Sequence, residues 1–319
     1  MYNKVAMKKE KRKEEMHMKK PVLVIGSTCV DVIINIDHLP VTEENIRPTG
    51  QSFALGGCAF NAANILRQSG AEFTFVSPVG GGVYGDYVKK SMEEKGFEIR
   101  VRVPEEKNGC CYCLVEAGGE RTFMSYHGVE YSFRKEWMKG LSAEDYSMVY
   151  VCGMEIEERT GGELVSWLEE NPGPEIFFAP GPRAAHLKKE WVDRLYALHP
   201  VLHINEAESR ILSGCNDMKE AAEELRRKTG NAVVITMGAD GVYCLKKDGT
   251  VCAAPGVPAH VVDTIGAGDS HIGALMACLY RDMSMEEALE KANRVSSAVV
   301  SVKGASVSDE EFLQLGLCR

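Results

Sequence analysis

No run in this 319-residue chain reaches the roughly 18 consecutive apolar residues of a membrane-spanning helix. The first twenty residues, MYNKVAMKKEKRKEEMHMKK, hold no apolar segment of the kind a secretory signal needs. They are read as a disordered basic extension ahead of one domain over residues 21–319. With neither signal nor anchor, the expected location is cytoplasmic and no membrane partner is expected. Positive charge is not in surplus: 37 Lys and Arg stand against 46 Asp and Glu, a net charge of −9 at pH 7. A broad nucleic-acid surface needs clustered cations, so no nucleic-acid partner is expected either. No CxxC pair occurs among the eleven cysteines, and an odd number in a long chain does not fit a disulfide framework. Cys110, Cys111 and Cys113 lie close together, and a soft-metal site is the alternative there, but alternate residues of a strand point to opposite faces. They are read as free thiols in a reducing compartment. No GxxxxGK[ST] string occurs, which removes the Walker-type NTPases. Internal repeats and low-complexity linkers are missing as well.

What is present is an ordinary globular composition, 45% hydrophobic and 26% charged, in a chain long enough for one large α/β domain. Short apolar runs bounded by glycine read as buried strands at 22–26, 73–79, 147–153, 175–181, 201–205 and 232–238. Helical patterns follow them near 60–70, 85–96, 160–170, 185–197, 206–214 and 217–230. A last helix runs from Ser284 to about Val302. Asp217 with Glu220, and Ser284 with Glu287, have capping-box spacing. Strands alternating with helices predict a mostly parallel central sheet flanked by helices, a Rossmann-like three-layer α/β fold. Residues 97–127 alternate polar and apolar more regularly, around a Gly118-Gly119 turn, and residues 32–55 mix short apolar stretches with proline and glycine. They are expected to form a small β-strand lid.

The string DTIGAGDS, Asp263 to Ser270, precedes the apolar helical run HIGALMACLY. Gly266 and Gly268 permit a tight turn and a close backbone approach. The free amides at a helix start favour phosphate oxygens. A carboxylate at that spot, Asp269, repels phosphate in the ground state, so its role is expected to be proton abstraction from an attacking hydroxyl. The bland alternative is a helix cap.

Asp-Thr-Ile-Gly-Ala-Gly-Asp resembles the C-terminal signature of the ribokinase-like, or PfkB, carbohydrate kinases. Gly56-Gly57-Cys58-Ala59-Phe60-Asn61 resembles their N-terminal signature. Gly26 and Asp31, Gly85-Asp86, Glu120-Arg121-Thr122, Asn205-Glu206-Ala207-Glu208 and Thr236-Met237-Gly238 with Gly241 follow in family order. The resemblance spans about Val22 to Gly304.

The resemblance implies an ATP-dependent sugar kinase. Asp269 would be its catalytic base and the amides of Gly266, Ala267 and Gly268 its anion hole. It implies acceptor contacts from Asp31, Gly57 and Asn61. Nucleotide contacts would come from Asn205, Glu208, Thr236, Gly238, Gly241 and Asn293. Glu208 would orient Mg²⁺ through water, and Asp263 and Ile265 would help hold K⁺. It further implies a homodimer paired through the lid.

Two departures qualify the acceptor. Many ribokinases carry Asn two positions before the sugar-binding Asp, where this chain has Cys29. Cys58-Ala59-Phe60 replaces the family's frequent Lys or Gly, and Phe60 is expected to pack. A nucleoside, pseudouridine among them, is therefore the alternative acceptor, although Glu120-Arg121-Thr122 leans toward a sugar. A distant alternative is a nicotinamide-dependent oxidoreductase, since Gly80-Gly81-Gly82-Val83-Tyr84-Gly85 matches GxGxxG with Glu98 downstream.

Overall fold

The computed structural model describes residues 19–317; the expectation for residues 1–18 lies outside them. Along the chain the strands are β1 (Val22–Ile25), β2 (Cys29–Asn35), β3 (Gly50–Gly56), β4 (Phe73–Val76), β5 (Pro78–Gly81), β6 (Val101–Lys107), β7 (Cys110–Val115), β8 (Arg121–Tyr126), β9 (Met148–Cys152), β10 (Glu175–Ala179), β11 (Val201–Asn205), β12 (Val233–Thr236), β13 (Val242–Leu245) and β14 (Val251–Ala254). The helices are α1 (Cys58–Ser69), α2 (Gly82–Glu94), α3 (Gly153–Glu157), α4 (Gly161–Glu170), α5 (Lys189–Ala197), α6 (Glu206–Ser213), α7 (Met218–Thr229), α8 (Ala267–Leu279), α9 (Met285–Val300) and α10 (Asp309–Gln314).

Eight strands form the central sheet in the order β4-β1-β9-β10-β11-β12-β13-β14. The first six are parallel and the last two add as antiparallel neighbours. The uninterrupted VLVI run of β1 is explained by burial on both faces. Val22 and Val24 face a core shared with α1, α8 and α9. Leu23 and Ile25 face a second core shared with α4, α5 and α7. Helix α8 is buried almost all round between α1 and α9. This is the three-layer α/β architecture that the strand-helix alternation predicts. Among the described residues no helix is long and apolar enough to cross a membrane.

The run 73–79 does not form one strand. Ser77 and Pro78 divide it, leaving β4 in the central sheet while β5 pairs with β6 in a separate two-stranded sheet; proline cannot donate to a ladder. The stretch 97–127 is likewise shared out. β6 goes to β5, whereas β7 and β8 join β2 and β3 in a four-stranded sheet ordered β3-β2-β7-β8. In that sheet Asp31 stands opposite Cys111, which stands opposite Ser125, so the three lie in one row across it.

Candidate active site

Parallel strands of an α/β sheet place ligands at their carboxyl ends, and the singled-out residues collect there. β1 leads into Gly26 and Ser27 and β9 into Glu155, while β11 ends at Asn205 and β12 at Thr236. A cavity of about 610 Å³ lies at the other end of the same strands, around Met148, Glu175, Val201 and Ala232, and includes none of these groups.

Helix α8 starts at the same edge. Its N-cap, Gly266, has φ 72°, and a side chain there would meet Ala305 Cβ at 2.6 Å. Glycine is therefore required both by conformation and by space. The Ala267 amide donates to Thr264 O at 3.3 Å, inside the loop, so one of the three amides expected to face an anion is engaged by the turn itself. The Asp263 carboxylate organises that loop: it accepts from Ile265 N at 2.9 Å and Gly304 N at 2.8 Å. It also pairs with Arg121 of β8, which ties the four-stranded sheet to the glycine-rich turn.

Asp269, in the first turn of α8, accepts a 2.9 Å hydrogen bond from Asn61 Nδ2 on α1. Burial pushes its carboxyl above the ordinary range, against the opposing bonds from Asn61 and Cys58. Three further carboxyls converge on it. Asp31 is pushed up to about 7, chiefly by burial, with Cys111 and Asp269 adding to the rise. Glu155 also rises to about 7 through burial, opposed by bonds from Ser27 and raised further by Asp269. Glu208 is raised by burial, opposed by the Asn205 backbone bond and raised in part by Asp269. Each of these three carboxyls lies within electrostatic reach of Asp269, which makes this an acidic centre.

Asp31 is seated by the glycine pair of the N-terminal motif. A side chain at Gly56 would collide with the Asp31 carboxylate, and Gly57, at φ 106°, passes so close to Ser27 O that a Cβ would sit 2.6 Å from it. Phe60 is buried against Phe97, ring centroids 5.4 Å apart, so it packs rather than stacks on a ligand.

On the other flank, Asn205 and Glu208 form a complete capping box on α6: Asn205 Oδ1 accepts from Glu208 N at 2.9 Å, and Glu208 Oε2 from Asn205 N at 3.0 Å. Thr236 is the register partner of Asn205 across β11 and β12. Gly238 is exposed, and Gly241, at φ 99°, closes the turn after β12, its N–H donating to Gly238 O at 3.2 Å. Asn293 is fully employed in the interior. Its Nδ2 donates to Ala254 O and Pro255 O, and its Oδ1 accepts from His271, which in turn bonds His203 at 2.8 Å. Its side chain pins the end of β14 instead of facing an open site.

Some groups escaped the sequence reading. Glu155 is buried, bonded through Oε1 to Ser27 N at 2.8 Å, with Oε2 unpartnered among the described residues. A lone Glu after a strand carries no motif to find it by. Asn108 joins Gly80 N to Thr28 O. Cys111 and Cys113 share a face with Asp31, since residues two apart on a strand point the same way; Cys110 alone of the three points to the other face.

The dinucleotide reading of residues 80–85 fails on space. Gly80 and Gly81 pack directly on the backbone of residues 104–108, their strand lies outside the central sheet, and Glu98 is exposed beside Arg100. A pyrophosphate has no approach there.

A profile of the pfkB family carbohydrate kinases matches residues 19–311, and the chain belongs to that family. It is 32% identical over 305 residues to the uncharacterized sugar kinase YegV of Escherichia coli K12, covering 94% of this chain and 95% of that protein. To the ribokinase of Mus musculus it is 28% identical over 304 residues, 90% and 91% of the two chains. The solved Arabidopsis thaliana ribokinase complexed with ribose and ATP superposes with a TM-score of 0.77 at 20% identity, covering 93% of this chain and 99% of that one.

Proposed function

We propose that the protein transfers the γ-phosphoryl of ATP to a hydroxyl of a small sugar or sugar derivative, with Asp269 taking the proton. The observation that carries this reading is the position of Asp269: it stands at the glycine-rich start of α8, oriented by Asn61. Burial raises its basicity above that of an ordinary aspartate, which suits a general base. The acceptor O–H donates to the Asp269 carboxylate as the oxygen attacks phosphorus, so the proton ends on Asp269 and ADP departs. The amides of Gly266, Ala267 and Gly268 are assigned to the charge gathering on the phosphoryl oxygens. Ala267 must leave its long bond to Thr264 to take part.

Asp31, Gly57 and Asn61 are assigned to acceptor hydroxyls. Asn205, Glu208, Thr236, Gly238 and Gly241 are assigned to the nucleotide side, Asn293 acting there only by holding residues 254–255. The acidic centre fits Mg²⁺, and Glu208, raised by burial and in part by Asp269, is the carboxylate that would orient it through water. Such an ion would neutralise the phosphates. The loop fixed by the Asp263 side chain leaves the carbonyls of Asp263 and Ile265 as the groups for K⁺. Phe123 and Met124, 51% and 60% exposed on β8, support a lid pairing two subunits; a monomer by sedimentation removes that pairing. ATP as cosubstrate and the free cysteines suit the cytoplasm.

A panel of pentoses, ketohexoses, keto-deoxy sugar acids and nucleosides, read by ADP release with ATP and Mg²⁺, tests the assignment. A sugar is expected to give turnover. Turnover with nucleosides alone would move the acceptor class, and NAD binding without ATP binding would sink the reading.

A further inference from the structure

We infer that Cys111, Cys113 and Asp31 form a binding site for a soft divalent cation, Zn²⁺ in chemical class, whose occupation closes the acceptor site. The blockade rests on the assignment of Asp31 to the acceptor; the metal site itself does not.

One ligand atom from each of the three residues lies within 4.8 Å of the other two. The thiols stand two apart on β7, on the face that β2 shares with Asp31, and their sulfurs are 3.9 Å apart. A zinc ion with bonds of about 2.3 Å to each sulfur spans a tetrahedral S···S edge of about 3.8 Å. The spacing already present is therefore the one the ion needs, and only side-chain rotation is left to bring in the carboxylate. Ser125 Oγ, 3.4 Å from Cys111 Sγ, fixes that thiol in the shared row.

Two sulfurs and a carboxylate suit Zn²⁺ and discriminate against Mg²⁺, which prefers oxygen donors. On binding, both thiols release their protons to solvent and the ion keeps one coordination position for water. Asp31 is then a ligand and no longer an acceptor for a sugar hydroxyl.

Co²⁺ serves as the spectroscopic probe, on the full chain with all other cysteines in place. Titration is expected to give thiolate-to-cobalt charge-transfer absorption saturating at one ion per chain, undiminished by excess Mg²⁺ and lost in Cys111→Ser and Cys113→Ser. Cys215→Ser, in the turn between α6 and α7, is the control that keeps it. In the wild-type chain, Zn²⁺ should shield Cys111 and Cys113 from iodoacetamide. That measurement stands whether or not the serine variants fold. With free Zn²⁺ set by a chelator buffer, the acceptor KM should rise with Zn²⁺ concentration while kcat stays level.

Absence of the band, its persistence in both serine variants, or alkylation unslowed by Zn²⁺ overturns the site. Metal bound at Cys111 with an unmoved acceptor KM overturns the blockade and the role of Asp31 in acceptor binding, yet leaves the site standing. Failure to phosphorylate any acceptor, with the cobalt band intact, strikes the proposed function alone.

Discussion

The two sides of the site are built differently. On the central-sheet side, polar groups are already bonded before any ligand arrives: Asn205 and Glu208 cap each other, Asp263 holds two loop amides and Arg121, and Asn293 serves two carbonyls and a histidine. On the four-stranded-sheet side, Asp31 is surrounded by thiols, and Phe53, Phe123, Met124 and Tyr126 are left exposed. Preorganised dipoles favour a reaction whose demands are the same for every substrate. A sheet lined with adaptable side chains leaves acceptor choice to a few positions. On the proposed assignment, the chemistry falls to the rigid side and the choice of acceptor to the other.

The contrast is broken most severely at Asp269. Asp269→Asn should leave ATP affinity nearly unchanged and lower turnover about 10²–10⁴-fold, the usual worth of a positioned base; single-turnover kinetics beside nucleotide titration measure both. An equal loss in ATP affinity would place Asp269 in the scaffold.

A smaller effect separates the other side. Asp31→Asn should raise the acceptor KM about 10–100-fold, the worth of a hydrogen bond to a charged group, and leave the ATP KM alone. Its pH behaviour has a definite sign. The folded carboxyl sits at about 7, above its ordinary 3.8, so its contribution to stability is fully present below about pH 4 and is lost as pH rises through about 7. Above that, the wild type carries a buried charge. Asn removes it, and Tm should rise by about 2–4 °C at pH 8 and scarcely at pH 4. Acceptor kcat/KM of the wild type should climb through about pH 7 as the carboxylate forms. A Tm gain independent of pH would detach Asp31 from this account.

The same division governs how much could be read from the chain. The DTIGAGDS string and the Asn205-x-x-Glu208 pair are contiguous, so local backbone demands expose them, and the structure brings them to one sheet edge. The alternation of apolar runs gave the central sheet because strands buried on both faces leave a signal in sequence. Pro78 marks an interruption after β4, but an apolar run does not say which sheet receives each half. Glu155 and the meeting of Asp31 with Cys111 and Cys113 were not legible, because the fold brings them together from distant segments. The bonds of Asn293 to Ala254 and Pro255 were not legible either, because they depend on where β14 ends.

The smallest effect concerns the one contact that joins the two sides. Arg121 leaves β8 to pair with Asp263, which is buried and also bonded by Ile265 N and Gly304 N. Breaking a buried ion pair strands a charge, but two amides remain on Asp263, so Arg121→Met should destabilise by only about 1–2 kcal/mol, seen as a Tm drop of about 2–4 °C. If the pair also couples acceptor closure to the glycine-rich turn, the acceptor KM and kcat should both worsen, while ATP affinity holds. A Tm drop with unchanged kinetics would make Arg121 a structural tie and leave the two sides of the site working independently.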